Sequence, residues 1–283
     1  MADQKYPKQA VFIEGARIPF LRSGTAYNDL MAWELGRMAI EGLLARSNIL
    51  PDQIERVIMG TVIQEVKTSN VAREASLGAG IPNTVPAYTT TMACISSNAA
   101  VTNATDLIRT NQVDIVLAGG TETMSDIPIR LSKNFRQKLL EARKFKKPSE
   151  FLSFLTDLGL KDLKPELPAI AEYATGDTMG ESCDKMAARF GIPREEQDEF
   201  ALRSHKLAAK ATEEGILAEE VVPAKVPPEF ETVTEDNVIR ADSDMEQLSK
   251  LKPAFTKPHG TLTAGNSSTF TDGASAAFIT SEQ

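Results

Sequence analysis

Apolar positions along the first part of the chain follow two alternating rhythms. Ala10–Ala16 (AVFIEGA), Arg56–Val62 (RVIMGTV), Val85–Thr91 and Asp114–Ala118 are short aliphatic, β-branched runs of the kind that form buried strands. Between them the period lengthens. Leu30, Leu35, Ala39, Ile40, Leu43 and Leu44 make a helical stripe that stops before Pro51, and Val71–Ala79 reads as a short helix. Ala100, Ala104, Leu107 and Ile108 share one helical face at spacings of three and four. Such alternation implies a mixed, mostly parallel sheet flanked by helices, so the stretch to about residue 124 is expected to be α/β. Gly119-Gly120 reads as the turn that closes the Asp114–Ala118 strand.

Beyond Ser125 the pattern changes. From Arg130 to Lys147 eight basic residues stand against Glu141 alone, with Leu131, Phe135 and Leu139 four apart beneath them, which predicts an amphipathic basic helix. That helix is either a solvated face over a core stripe or a docking surface for an acidic partner, a membrane surface or an anionic ligand. Phe151–Leu163 and Pro165–Pro168 read as irregular or short helical structure. A firmer helix follows Pro193, with acids in its first turn and Gly215 at its end. Pro223–Asp244 reads as extended chain or a poor edge strand, and Ala276–Thr280 as a final strand.

Composition narrows the class without naming a function. In 283 residues, 42% hydrophobic and 25% charged content with 6% aromatics describe a globular chain able to bury a sizeable core. A net charge of -8 argues against nucleic acid as a partner. Two cysteines without ligand spacing give no reason to expect a metal site or a disulfide framework, and suggest a reducing setting. Met1–Ala10 lacks the pattern of a signal or transit peptide, and no apolar run reaches membrane-spanning length. The expected compartment is the cytoplasm, or the mitochondrial matrix if a presequence has been removed.

The chemistry concentrates at Cys94. The β-branched run ends at Thr91 and the helical pattern begins just behind the cysteine, at a strand-to-helix turn where unpaired N–H groups and the helix dipole favour a thiolate. A helix terminus contributes at most ~2 kcal/mol, so activation beyond what the dipole supplies would require a base. Position leaves two readings open, a nucleophile and a small core residue. His205, in a charged helix, and His259, in a turn-like stretch, are expected to be solvated, and Cys183 is expected to pack.

Taken together, TTTMACISSNAA, DIVLAGGTETMSDIPIR, TMGES, EEQDEFALRSH, LKPAF and GTLTAGNSSTFTDGASA resemble successive motifs of the thiolase family, in particular its branch of fatty-acid-oxidation β-subunits. The resemblance runs from Val11 to the last strand. It implies a cysteine-dependent acyltransferase acting between 3-ketoacyl-CoA and CoA, in thiolysis or in the reverse condensation, with no tightly bound cofactor. Cys94 takes the place of the nucleophile. Arg240 matches a contact to the nucleotide part of the coenzyme, while Met179, Phe255, Ala264 and Ser268 match the pantetheine channel. The family also implies a homo-oligomer and, for this branch, a hydratase/dehydrogenase α-subunit that could dock on residues 130–147.

The departure from the family pattern is large. The Gly-His-Pro histidine, the second catalytic cysteine and the Asn/His-Glu-Ala-Phe motif of the C-terminal half do not occur in this sequence. The implied organisation is an N-terminal α/β half, 1–124, completed by 270–283, with an inserted coenzyme-binding segment, 125–269. The chain is accordingly expected to lack turnover alone. A non-catalytic CoA-binding or assembly fragment is the competing reading, and a ketoacyl-synthase-type condensing enzyme a lesser one.

Overall fold

The computed structural model describes residues 8–159, 161–168 and 171–282. Most of the Met1–Ala10 stretch weighed for targeting lies outside the described residues. The elements run β1 (Ala10–Arg17), β2 (Leu21–Arg22), α1 (Ala32–Arg46), β3 (Arg56–Gly60), α2 (Val71–Gly78), β4 (Ala87–Thr90), α3 (Ser96–Arg109) and β5 (Ile115–Glu122). They continue with α4 (Lys133–Ala142), α5 (Pro148–Thr156), α6 (Met179–Phe190), α7 (Arg194–Glu213), β6 (Ala224–Val226), β7 (Glu231–Val233), α8 (Met245–Ser249) and β8 (Thr271–Ser281).

The main sheet is ordered β1-β8-β5-β3-β4, with β2 pairing beside β8. β3 pairs in parallel with β4 and β5, as the alternating pattern predicts. β8 pairs antiparallel with both β1 and β5. The sheet is therefore mixed, but parallel pairing dominates only in the part built from the first βα units. The reason is the route of the chain: β8 returns after the long 125–270 segment and enters between β1 and β5.

The core divides by strand alternation. Val57 and Met59 of β3, Leu117 of β5 and Phe278 of β8 face α1 and α2, where they meet buried Leu35, Ala39, Ile40 and Ala75. Ile58, Val116, Ala118 and Ile279 turn to the opposite face, against Ala100, Ala104 and Ile108 of α3. Strands buried on both faces read as unbroken apolar runs, as β3 and β5 do in the sequence, whereas β1, expected to be buried, lies at the sheet edge and leaves Phe12 and Ile13 exposed.

Gly119-Gly120 is not a turn. Both residues lie inside β5, which continues to Glu122. A Cβ on Gly120 would run into the Ser97 side chain, and one on Gly60 would sit 2.5 Å from the Ser97 nitrogen and 2.6 Å from the Ser96 carbonyl oxygen. These glycines let the first turn of α3 rest on the sheet backbone.

The expected basic helix over Arg130–Lys147 is shorter and has a partner. α4 spans Lys133–Ala142, and after a turn α5 begins at Pro148 and runs to Thr156, into the Phe151–Leu163 stretch expected to be irregular or short helical. Phe145 packs edge-on against Phe151 and Phe154, at ring-centroid distances of 5.4 and 6.2 Å. This aromatic contact closes the helix pair, a tertiary effect that periodicity could not reveal. Pro223–Asp244 contains the short hairpin of β6 and β7.

Gly60→Ala is expected to destabilise the fold by about 1–3 kcal/mol through overpacking against backbone that cannot give way. Urea denaturation checks this, and a shift in midpoint at unchanged slope is the expected form.

Candidate functional site

β4 ends at Thr90, and six residues later the chain is in α3. The turn between them is held by Ser96, whose hydroxyl accepts from the Met92 N–H at 2.8 Å and donates to the Ala93 carbonyl at 2.6 Å. Ala93 adopts φ of 45°, a left-handed conformation that strains a residue with a Cβ. Cys94 follows it, exposed and free, one residue before the α3 cap Ile95, which supplies no side-chain capping bond. The placement matches the expected strand-to-helix turn. Exposure removes the alternative in which Cys94 is a small core residue.

Arg240, Phe255, Ala264 and Ser268 line one cleft of about 390 Å³, together with Arg22 and Asn237. Cys94 is not among its lining residues. Met179 stands next to it: it opens α6 with about half its surface exposed, and the following Gly180 lies directly against the Phe255 ring. The cleft thus gathers four of the five residues assigned to the coenzyme and has the fifth beside it.

Buried carboxylates hold the walls of this cleft. Asp184 of α6 accepts the backbone N–H groups of Thr256 at 3.1 Å, Thr261 at 2.8 Å and Leu262 at 2.9 Å, pinning the loop after Phe255. Burial would push its carboxyl up, but these donors outweigh it and hold it below the ordinary carboxylate range. Asp198 of α7, 1% exposed, takes the Arg194 guanidinium at 2.7 Å on one oxygen and the Asn266 amide at 2.8 Å on the other. Asn266 in turn accepts from the Thr263 N–H at 2.7 Å, which shapes the Ala264–Ser268 turn.

The segment bearing Arg240 is tied at its start. Asp236 takes the buried Arg17 guanidinium on both oxygens, at 2.7 and 3.0 Å, and Asn237 accepts from the Arg22 N–H at 2.6 Å. These positioning residues were missed because a carboxylate in an amphipathic helix or a charged loop gives no sequence sign of being turned inward. His205 also departs from expectation. It is partly buried, and its Nδ1 accepts from the Arg240 N–H at 3.2 Å. His259 is exposed, as expected, and Cys183 is partly buried in α6.

Among the described residues no three His, Cys, Asp or Glu side chains cluster as metal ligands would, and no helix is long and apolar enough to cross a membrane. A mixed sheet flanked by helices, with an exposed cysteine on a strained turn before α3 and a separate cleft walled by pinned loops, defines an α/β protein with a free surface thiol. The chain belongs to the thiolase family: the model of the thiolase N-terminal domain matches residues 10–283.

Relatives and a solved structure carry the same likeness. The mitochondrial trifunctional enzyme subunit beta of Mus musculus is 58% identical over 97% of this chain, and that of Homo sapiens 53% over 98%. A 3-ketoacyl-CoA thiolase of Pectobacterium carotovorum is 45% identical over 96% of the chain. The chain spans 57%, 58% and 62% of these three proteins. The crystal structure of the Bacillus anthracis acetyl-CoA acetyltransferase superposes with a TM-score of 0.84 at 31% identity, covering 99% of this chain and 67% of that one.

Asp184→Asn is expected to lower stability by about 1–3 kcal/mol at neutral pH, because an amide group then faces donors. The folded carboxyl is depressed, so its contribution is complete above the unfolded value near ~3.9 and fades as pH falls through the lower folded value. Thermal melting of both forms across that range should show their difference shrinking in acid.

Proposed function

We propose that this protein serves thiolase-type acyl transfer between 3-ketoacyl-CoA and CoA, with Cys94 as the nucleophile. The observation that carries the reading is the exposed thiol at the turn into α3, within a chain that matches the thiolase N-terminal domain along nearly its whole length. The Cys94 thiolate attacks the C3 carbonyl carbon. The tetrahedral adduct collapses with cleavage of the C2–C3 bond, and the electron pair leaves on the acetyl-CoA enolate, which then takes a proton. The acyl group remains on sulfur as a thioester. A second CoA gives up its thiol proton, attacks that thioester and releases the cysteine. The Cys94 N–H at the head of α3 is suited to donate to the developing oxyanion.

In this reading Arg240 meets the nucleotide part of the coenzyme, and Met179, Phe255, Ala264 and Ser268 receive the pantetheine. Their joint position around one cleft supports it. Activation is the missing element. Among the described residues no histidine hydrogen-bonds to Cys94. We therefore assign proton transfer to groups other than these and expect slow acylation without turnover from the 283-residue chain. A non-catalytic CoA-binding or assembly role is the second reading, favoured by a cleft whose lining does not include Cys94.

The organisation proposed with it is an N-terminal α/β half, 1–124 with 270–283, and a coenzyme-binding insertion, 125–269. A reducing compartment, bacterial cytoplasm or mitochondrial matrix, suits a free reactive thiol. A homo-oligomer is proposed, with a hydratase/dehydrogenase α-subunit as further partner through the basic segment. There Arg136 and Lys138 are engaged by Glu166 and Asp162, which leaves exposed Arg143, Lys144, Lys146 and Lys147 to meet it.

Incubation with acetyl-CoA should add one acetyl group to Cys94 by mass spectrometry and none to Cys94→Ala. An unmodified Cys94 under saturating acetyl-CoA refutes the nucleophile. Charge reversal of Lys144, Lys146 and Lys147 should weaken capture of the α-subunit, and unchanged capture removes the basic segment as its dock.

A further inference from the structure

Arg240 sits on a segment tied at two ends, and the second tie is made by α7. Lys206 donates from Nζ to the Ala241 carbonyl at 2.6 Å, while its neighbour His205 accepts the Arg240 N–H at Nδ1. The first tie, through Asp236 and Asn237, lies on the β1–β2 side. Arg240 itself is exposed, and among the described residues its guanidinium is in no ion pair, so the backbone carries the burden of aiming it.

We propose that His205 is a positioning residue for Arg240, and that coenzyme binding at this cleft weakens when the imidazole takes a proton. The inference rests on the coenzyme reading of the cleft. A histidine that accepts at Nδ1 must be neutral, with its proton on Nε2. Protonation puts a hydrogen on Nδ1, facing the Arg240 N–H donor to donor, and sets a cation beside the guanidinium. The Arg240 segment then keeps only the Lys206–Ala241 contact to α7 on the side that meets the ligand.

The surroundings oppose the proton. Burial and then the charge of Arg240 both lower the imidazole below its ordinary value. The residues one helical turn away on α7, Ala201, Leu202, Ala208 and Ala209, carry no charge, so no carboxylate on that face favours the imidazolium. Lys206 beside it is also cationic, and the facing segment presents Arg240. The neutral form therefore prevails at neutral pH, and the tie is lost on acidification below the ordinary imidazole range.

Asparagine places its Oδ1 near the site of Nδ1 and accepts at any of these pH values, which separates the acceptor from the imidazole. Titration calorimetry of CoA into the protein, His205→Asn and His205→Ala is compared at about pH 7.5 and about pH 4.5, the lower pH being set well below the ordinary imidazole value near 6.5 because this imidazole is lowered. The ligand's own phosphate ionises near ~6 and contributes equally to all three. His205→Ala should bind roughly three- to tenfold more weakly at the higher pH, the range expected for one neutral hydrogen bond. His205→Asn should recover most of that affinity and fall less in acid than wild type. The proposal is overturned by wild-type affinity in His205→Ala, by failure of Asn to restore binding, or by the full acid loss persisting in His205→Asn. Absence of CoA binding to wild type at the higher pH instead removes the coenzyme reading, and this inference with it.

Discussion

The first turn of α3 lies in contact with the backbone of β3 and β5, and the geometry at Cys94 depends on that contact. Helices normally stand off a sheet by the depth of their side chains. Here the standoff vanishes at Gly60 and Gly120, where Ser96 and Ser97 come down onto the strands. The descent leaves few residues in which to reverse direction after β4, and Ala93 takes up the difference in a left-handed conformation. Cys94 is lifted out at the end of that reversal. Its exposure and its place at a helix terminus are two results of one steric condition.

The cleft obeys a different logic. Apart from Arg22 of β2, its lining residues are on loops, which have little packing of their own, so order is imported through buried carboxylates on rigid helices. Asp184 and Asp198 each gather donors from chain far away in sequence, and Asp236 links the Arg240 segment to the start of the sheet. A ligand entering such a cleft meets walls that are already ordered, which lowers the entropy it must overcome. The arrangement also separates tasks: α3 presents the thiol, while α6 and α7 shape the cleft.

Periodicity carried the βα units, because strands buried on both faces and a helix with one apolar face leave clear rhythms at β3, α1 and α3. The Cys94 turn was legible for the same reason, being the point where one rhythm gives way to the other. The glycines of β5 misled, since Gly-Gly looks alike whether it bends a strand or lets a helix approach one. The interior position of β8, between β1 and β5, was hidden, because its partners lie far off in sequence and alternation says nothing about strand order. Met179, Arg240, Phe255, Ala264 and Ser268 came from motif resemblance alone. Their supports, Asp184, Asp198 and His205, look in sequence like ordinary surface positions of amphipathic helices.

The position of β8 has a consequence for how the molecule comes to exist. Among the described strands β8 comes latest in sequence, yet it lies between β1 and β5, which are synthesised well before it. Until β8 emerges, those two strands have open edges and no partner to join them, while the whole 125–270 stretch is being added. Pairings this distant in sequence form slowly, and open edges are where nascent chains associate wrongly. The half-finished sheet is therefore a natural client for chaperones that shield strand edges, and the vulnerable interval lengthens with every residue placed between β5 and β8.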